Sequence, residues 1–582
     1  LGGLIMTKKF LLIVFVFFGT VLKAQVPKDQ VSVDVNVFPK ETVALSINSE
    51  VLLAGELLQY KAYIFNASNK ISALSKMVYV SLRKQNDSVV FNHKLRVENG
   101  TANGDFFIPS NLNTGIYKLI GYTNFSKNNA QNGFVQKDIY IINTFVKRDL
   151  DNRKKDTIAI TASNGKDFNI SEIHGNSEML KTTLNKQTYG FREKVNLKLE
   201  SHFKNTDGNY VLSVRKINPV EISGKIPIVT KAISSEIFYV PELRGELISG
   251  IVLSISDNVP LANIEVSLTI PDEDFVLKTS KTNSEGRFFF SVSEAYNAEN
   301  SVVQIYGDAA ERSANKVILD KKDFSLNKNK PYFLNISSDL KDWLQERSVQ
   351  VQVENAYYDI KKDSILPKWI NPAFYSNLGT VFNLDDYTRF PSIKETFVEV
   401  VTLAAIRGTG DNAKFIVNNE YDPNGTAKFN DIPPLVLLDG IQIVDSKELV
   451  NFSTKEIQKV RVIIEPYRYG PKIYSGIIAV ETKKGDFIPN EIIKNNSEVS
   501  LSSAVKPKES YKPAYDKKSE LSKIPDYRVQ LLWQPKINFS DLDYNTSFYT
   551  SDVPGIFEVK IEGFTEDGTY ISEKNYFTVA KN

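Results

Sequence analysis

Along most of the chain, apolar and polar residues alternate one by one in short runs closed by turn-forming residues, the period of a strand with one buried face. In Gly55–Phe65 the residues Leu58, Tyr60, Ala62 and Ile64 alternate with Gln59, Lys61 and Tyr63, and Asn113–Phe125 repeats the pattern. Turn signals stand at Asn86-Asp87, Asn99-Gly100, Asn103-Gly104 and Asn113 to Gly115, a spacing that predicts an antiparallel sandwich over about Glu41–Phe145. Alternation returns in Tyr189–Leu199 and Gly208–Asn218, in Leu243–Leu253, Leu261–Ile270 and Asn283–Val292, and finally in Val529–Pro535 and Phe548–Gly568. Within Asn283–Val292 Gly286 is expected to make a turn, with Phe288 and Phe290 on one side of the strand that follows. Two stretches break the period: Leu340–Tyr358, where Leu340, Trp343, Leu344, Val349 and Val351 fall partly at helical spacing, and Thr396–Ile406. Both are predicted as helices. Polar stretches at Lys147–Lys166 and Asn490–Lys523 read as linkers.

The N-terminus departs from this pattern. Lys8 and Lys9 precede the apolar run Phe10–Phe18, and Gly19, Thr20 and Ala24 follow it. That order is a secretory leader, and the run is shorter than the roughly 20 residues a spanning helix needs, so cleavage after Ala24 and export are expected. No other stretch is as long and apolar, which makes the mature chain peripheral to a membrane rather than spanning one. Cysteine is absent, which excludes disulfides, thiolate metal sites, a cysteine nucleophile and a lipidated cysteine, and leaves stability to packing. With 582 residues the chain exceeds what one core can serve and should divide into several domains. The 71 basic and 69 acidic residues nearly cancel and form no long basic stripe, so nucleic acid is not expected as a partner. The 35 Phe and 27 Tyr against 3 Met favour strands over helical bundles.

Several segments resemble known families. Gly55–Phe65, Val80–Val90, Asn103–Pro109 and Asn113–Phe125 together resemble macroglobulin-like domains of the α2-macroglobulin family, and Tyr189–Asn218 looks like a second, divergent unit. Leu243–Leu253, the run PLANIEVSL and Asn283–Val292 resemble the carboxypeptidase regulatory-like domain, a small transthyretin-like sandwich with no peptidase activity of its own. Pro434–Asp445, Ser453–Pro466 and Tyr469–Gly485 resemble the plug domain of TonB-dependent outer-membrane receptors. Receptors follow the plug with a 22-stranded barrel, which at about ten residues per strand needs more than about two hundred residues. Only 97 follow Gly485 here, so a plug-like fold without its own pore is expected. The ending resembles that of other exported Bacteroidota proteins combining such modules.

The implied fold class is mainly β: tandem macroglobulin-like and transthyretin-like sandwiches plus one small α+β plug-like domain. The implied domains are a signal peptide (1–24), a first sandwich (25–146), a linker (147–178) and a second macroglobulin-like unit (179–242). After these come the regulatory-like sandwich (243–335), a helical connector (336–379), the plug-like domain (380–486), a second linker (487–522) and a C-terminal β domain (523–582).

Catalytic and metal-binding patterns are sparse. His93, His174 and His202 lie far apart, without the spacing of a zinc site. Asp272, Glu273 and Asp274, and likewise Asp385 with Asp386, are either calcium-binding or merely solvated turns. Gly408 and Gly410 lack the third glycine and the strand-to-helix context of a phosphate loop, and no G-x-S-x-G or P-loop occurs. No cofactor and no catalytic residue is therefore assigned. Asp439-Gly440 reads as a type I′ hairpin turn with positive φ at Gly440, or as a ligand loop, the structural reading being preferred. Gly470 and Gly476 are read as structural. Tyr467, Tyr469 and Tyr474 are candidates for an exposed partner-docking patch, or else pack against a neighbouring helix. The expected function is non-enzymatic: an exported binding or scaffold protein, in the periplasm or at the outer membrane, that docks on a barrel, a surface lipoprotein or a transported protein. A receptor-like module that binds a small nutrient or peptide, and an unrecognised hydrolase, are the alternatives.

Overall fold

The computed structural model describes residues 40–129, 133–146, 157–163, 179–202, 208–224, 226, 238–271, 275–296, 300–307, 309–320, 332–366, 372–409, 412–418, 432–450, 452–485, 498–515, 523–539 and 543–581. The leader, the acidic turn 272–274, His174 and Gly410 lie outside them. The described chain is mainly β, arranged as sandwiches and smaller sheets with few helices.

The first sandwich packs the sheet of Thr42–Ile47, Leu57–Phe65 and Thr101–Phe107 on a second sheet of five strands within Val51–Ile142. Leu58, Tyr60, Ala62 and Ile64 point into its core, fully buried. The opposite face of the same strand is buried too, against the expectation of one buried face: Lys61 is 1% exposed and Tyr63 0%. Another sandwich covers it, with Phe564 packed edge-on to Tyr63 and Phe65 at ring distances of 4.9 and 4.7 Å.

That other sandwich corrects the predicted domain order. Strand Lys194–Ser201 lies between Leu180–Leu184 and Asp543–Tyr549, while Gly208–Lys216 lies between Gln530–Ile537 and Gly555–Thr565. The predicted units 179–242 and 523–582 are therefore not separate: strands between Leu180 and Lys216 and between Gln530 and Val579 build one split sandwich, in which Leu197, Tyr210 and Leu212 share a core with Phe557, Ile561 and Phe577. Neither half has a core of its own here, since residues of both line a single one. Both predicted linkers also carry structure. Thr157–Ala162 is the middle strand of a three-stranded sheet with Val220–Ser223 and Phe333–Ile336. Glu498–Ser500 adds a fourth strand to a sheet of the small sandwich, and Lys508–Glu509 pairs with Ser364–Ile365. Between these two strands the Val505 amide donates to the Lys94 carbonyl of the first sandwich at 2.8 Å.

The small sandwich packs Arg287–Val292, Glu246–Ser254 and Asn315–Leu319 against Val276–Lys281, Glu265–Ile270 and Asn300–Ile305. Gly286 turns at φ +72°, Phe288 and Phe290 are buried, and Phe289 between them is exposed. The α/β unit has a sheet in the order Thr380–Asn383, Ile457–Ile463, Ile477–Thr482, Leu435–Leu438, Ile441–Gln442, with one parallel pairing between Leu435–Leu438 and Ile477–Thr482. A helix spans Lys341–Ala356, close to the prediction. The second predicted helix runs instead over Ile393–Glu399. Ser392 caps it by accepting from the Glu395 amide at 3.3 Å, the start of a capping box. It stops at the β-branched run Val400, Val401, Thr402, and Ala404–Arg407 forms a hairpin with Lys414–Val417 in which Gly408, at φ +83°, makes a turn.

Buried charges join the first sandwich to its neighbours. Lys61 Nζ donates to the Asn209 side chain and to the carbonyls of Tyr210 and Pro535 in the split sandwich. Three oxygen acceptors match the three donors of an ammonium, although burial, with Lys536 nearby, pulls its pKa well below the usual lysine range. Glu56 accepts from Arg347 of the helix at 2.6 Å and from Arg215 of the split sandwich at 3.0 Å. Burial pushes the Glu56 carboxyl up, but the two guanidinium groups outweigh it and hold the group below its ordinary value. Lys94 donates to both oxygens of Glu246 in the small sandwich at 2.8 Å.

Candidate docking junction

The residues singled out in the α/β unit come together where it meets the small sandwich. Strands Tyr467–Tyr469 and Lys472–Tyr474 form a hairpin turned by Gly470, φ +57°, and this hairpin lies over the edge strand Val276–Lys281. The approach is close: a Cβ on Gly470 would stand 2.0 Å from Thr279 Oγ1. The Tyr469 hydroxyl donates to the Leu277 carbonyl. Tyr474 is 2% exposed, and Tyr467 and Tyr469 are half-buried beside Phe374, whose ring stacks on Tyr469 at 4.3 Å. Phe275 of the small sandwich completes the aromatic group, 6.4 Å from Phe374 and 6.0 Å from Tyr375. The predicted outward patch is thus corrected. The three tyrosines do not face solvent together but fill a contact inside the chain, and their neighbours are a sheet edge and the segment 373–375 rather than a helix. Burial pushes the Tyr469 and Tyr474 phenols above their ordinary value, so both stay neutral donors.

Asp439 and Gly440 have φ of +48° and +80°, the pair of positive values that a type I′ turn requires, and join Leu435–Leu438 to Ile441–Gln442. Asp439 is spent on the fold: its carboxylate accepts from the Thr482 amide at 2.7 Å and from its hydroxyl at 2.6 Å. Gly440 meets the other module, since a Cβ there would lie 2.1 Å from the Phe275 ring. Gly476 serves the α/β unit itself, with the Ile463 carbonyl 2.3 Å from where its Cβ would be.

The sandwich side of the junction was not foreseen. It is the outer face of Glu265–Ile270 and its neighbours, with Ser267 and Thr269 at 1% and 0% exposure, Thr279 beside them, and Val302 against Ile441. Among the described residues the hydroxyls of Ser267, Thr269 and Thr279 and the Gln442 Oε1 have no hydrogen-bond partner. Gln304 Nε2 donates to the Gln442 carbonyl at 3.1 Å. Two ion pairs, Lys472 with Glu265 and Arg312 with Asp445, each at 3.4 Å, stand at its partly exposed rim. The signal available in sequence was the alternation of Ser267 and Thr269 with Val266, Leu268 and Ile270, which marks a face but not what covers it.

Other candidate groups have structural partners. His93 Nδ1 lies 2.6 Å from the Tyr60 hydroxyl, and Asp385 pairs with Arg389. Among the described residues no group of three or more His, Asp or Glu is placed to hold a metal ion, and no helix is long and apolar enough to cross a membrane.

No family model and no curated protein matches the chain. Among solved structures, Escherichia coli alpha-2-macroglobulin activated by porcine elastase is 8% identical, with a TM-score of 0.24, over 93% of this chain and 44% of that one. Salmonella alpha-2-macroglobulin reacted with methylamine is 10% identical, with a TM-score of 0.23, over 93% of this chain and 40% of that one. The chain spans less than half the length of these proteins. A likeness that weak fixes neither its domain arrangement nor its activity.

Proposed function

We propose that the chain is a non-enzymatic, exported scaffold that docks other proteins, as a component of an outer-membrane assembly in a Bacteroidota-type bacterium. The observation that carries this reading is an exposed sheet face on which large apolar side chains surround a polar group of Ser249, Arg287 and Asp320. In the small sandwich, Phe289 pairs with Ser249 and Ile318 with Ile251, so all four share the outer face of one sheet, where Phe289 is 41% and Ile318 45% exposed. Ile255 and Val259, 51% and 50% exposed, follow at one end of the same sheet. A rigid frame supports it, because the buried charges of Glu56, Lys61 and Lys94 hold modules to one another. The leader-like N-terminus and the resemblance of the α/β segments to receptor plugs favour the envelope as the place of work.

The test is a mild-detergent pulldown from envelope with mass spectrometry, run on the wild type and on Phe289→Ser/Ile318→Ser. Both side chains are exposed, so the variant should fold. The expected result is an envelope barrel or lipoprotein recovered with the wild type and lost with the variant. A cytosolic protein, or a partner kept equally by both, would overturn the reading.

A further inference from the structure

We propose that the junction between the small sandwich and the α/β unit opens in the native protein, the small sandwich acting as a removable cover over the tyrosine surface of the α/β unit. Among the described residues no strand ladder crosses this junction. Side chains make it, two of them, Gln304 and Tyr469, donating to the Gln442 and Leu277 carbonyls, and the rest of its polar layer is unsatisfied. In the closed state the hydroxyls of Ser267, Thr269 and Thr279 and the side-chain Oε1 of Gln442 have no hydrogen-bond partner among the described residues. Opened, all four would be hydrogen-bonded by water, so hydration of this layer works against closure. The strand Glu265–Ile270 keeps the pattern of a sheet with one dry and one wet face: Val266, Leu268 and Ile270 enter the core, while Ser267 and Thr269 face the junction. The rim pairs Lys472–Glu265 and Arg312–Asp445 are long and partly exposed, so salt should weaken them.

Closure is held by Leu277, buried in one core with Leu435, Tyr474 and Ile477, by the aromatic contact of Phe275 with Phe374 and Tyr375, by the buried pair Val302 and Ile441, by Lys472 over the Tyr306 ring, and by the Tyr469 and Gln304 hydrogen bonds to the Leu277 and Gln442 carbonyls. Opening would bare Tyr467, Tyr469, Tyr474 and the Gly440 turn as one amphipathic surface. The inference stands independently of the partner proposed above, since opening is measured in the protein alone.

A chain without cysteine permits single-thiol reporters in the full-length protein. Thr269→Cys places a thiol under the α/β unit, and Val266→Cys places one on the inner face of the same strand, 1% exposed. Ser267→Cys serves if Thr269→Cys does not fold. Under native conditions the junction thiol should react with a maleimide at least about tenfold faster than the core thiol, and faster still as salt is raised. Equal rates at the two positions would mean that access needs unfolding of the small sandwich itself and would overturn the proposal.

Discussion

Two kinds of module junction meet in this chain, and both are buried. Around the first sandwich, Glu56 is gripped by two arginines, Lys61 by three oxygens and Lys94 by a carboxylate and the Tyr296 hydroxyl. Between the small sandwich and the α/β unit, a layer of neutral hydroxyls lies just as deep with nothing to bond. The contrast has exceptions, since Arg215 and Arg347 each leave one buried N–H unpaired. Still, every charge in the first set has its counter-ion or acceptors, and a group so paired is lost only at the full cost of desolvating its partners. Depth of burial therefore says little about how firmly two modules are joined. What separates a weld from a seam is whether the polar atoms at the contact are satisfied.

The largest effect should come from breaking a weld. Glu56→Ala leaves the guanidinium groups of Arg215 and Arg347 facing each other without a counter-ion, in a site where the two residues are 8% and 3% exposed. Removing one member of a buried ionic cluster typically costs about 3–5 kcal/mol. Chemical denaturation should show that loss, together with release of the helix Lys341–Ala356 from the first sandwich. A cost below about 1 kcal/mol would show that the cluster is solvated in solution and that the junctions do not differ in kind.

The strands of both junctions were legible in sequence, and their partners were not. Alternation identified Leu58 to Ile64, Phe288 and Phe290 because a two-residue period needs only local information. It failed at Lys61 and Tyr63, which looked like the wet face of a strand and are covered by Phe564, about five hundred residues away in sequence. The split sandwich was missed for the same reason: Tyr210 and Phe557 share a core, but neither half announces that it is half. Asp439-Gly440 showed its turn type because φ is set by residue chemistry. Tyr469 and Tyr474 were legible as contact residues, whereas the surface they contact is the polar side of a strand, written no differently from one that meets water.

Acid should loosen the first sandwich through a single group. His93, beside Tyr60 and packed at a tilt against Phe91, has its pKa pulled by burial from 6.5 down to about 4. Between those values the unfolded chain binds a proton that the folded chain refuses, so stability rises with pH across the window and is lost as pH falls through it. The effect is on the order of 2 kcal/mol, reduced by the partial exposure of the ring. Denaturation midpoints measured from pH 7 to 4 should decline, and His93→Gln, which cannot titrate there, should flatten the slope. An unchanged slope in that variant would assign the acid sensitivity to other groups.

The smallest expected effect has the opposite sign and tests whether satisfaction or depth decides the worth of a buried hydroxyl. Thr269→Val exchanges an unpaired hydroxyl for a methyl group of nearly the same size, at a position with no exposure. Where a buried hydroxyl is bonded, that exchange destabilises; where it is orphaned, the desolvation it suffered on closure disappears and apolar contact is gained. Thr269→Val should therefore stabilise the closed junction by about 1 kcal/mol. The matched exchange in a satisfied site is Thr550→Val, whose hydroxyl donates to the Gly190 carbonyl at 2.8 Å and accepts from the Glu193 amide at 2.8 Å. It should lower stability by roughly 1–3 kcal/mol. Opposite signs for one chemical change at two equally buried threonines would locate the difference in satisfaction and not in depth. If both variants lose stability, water or an unseen partner must already bond the Thr269 hydroxyl, and the seam is as tightly built as the welds.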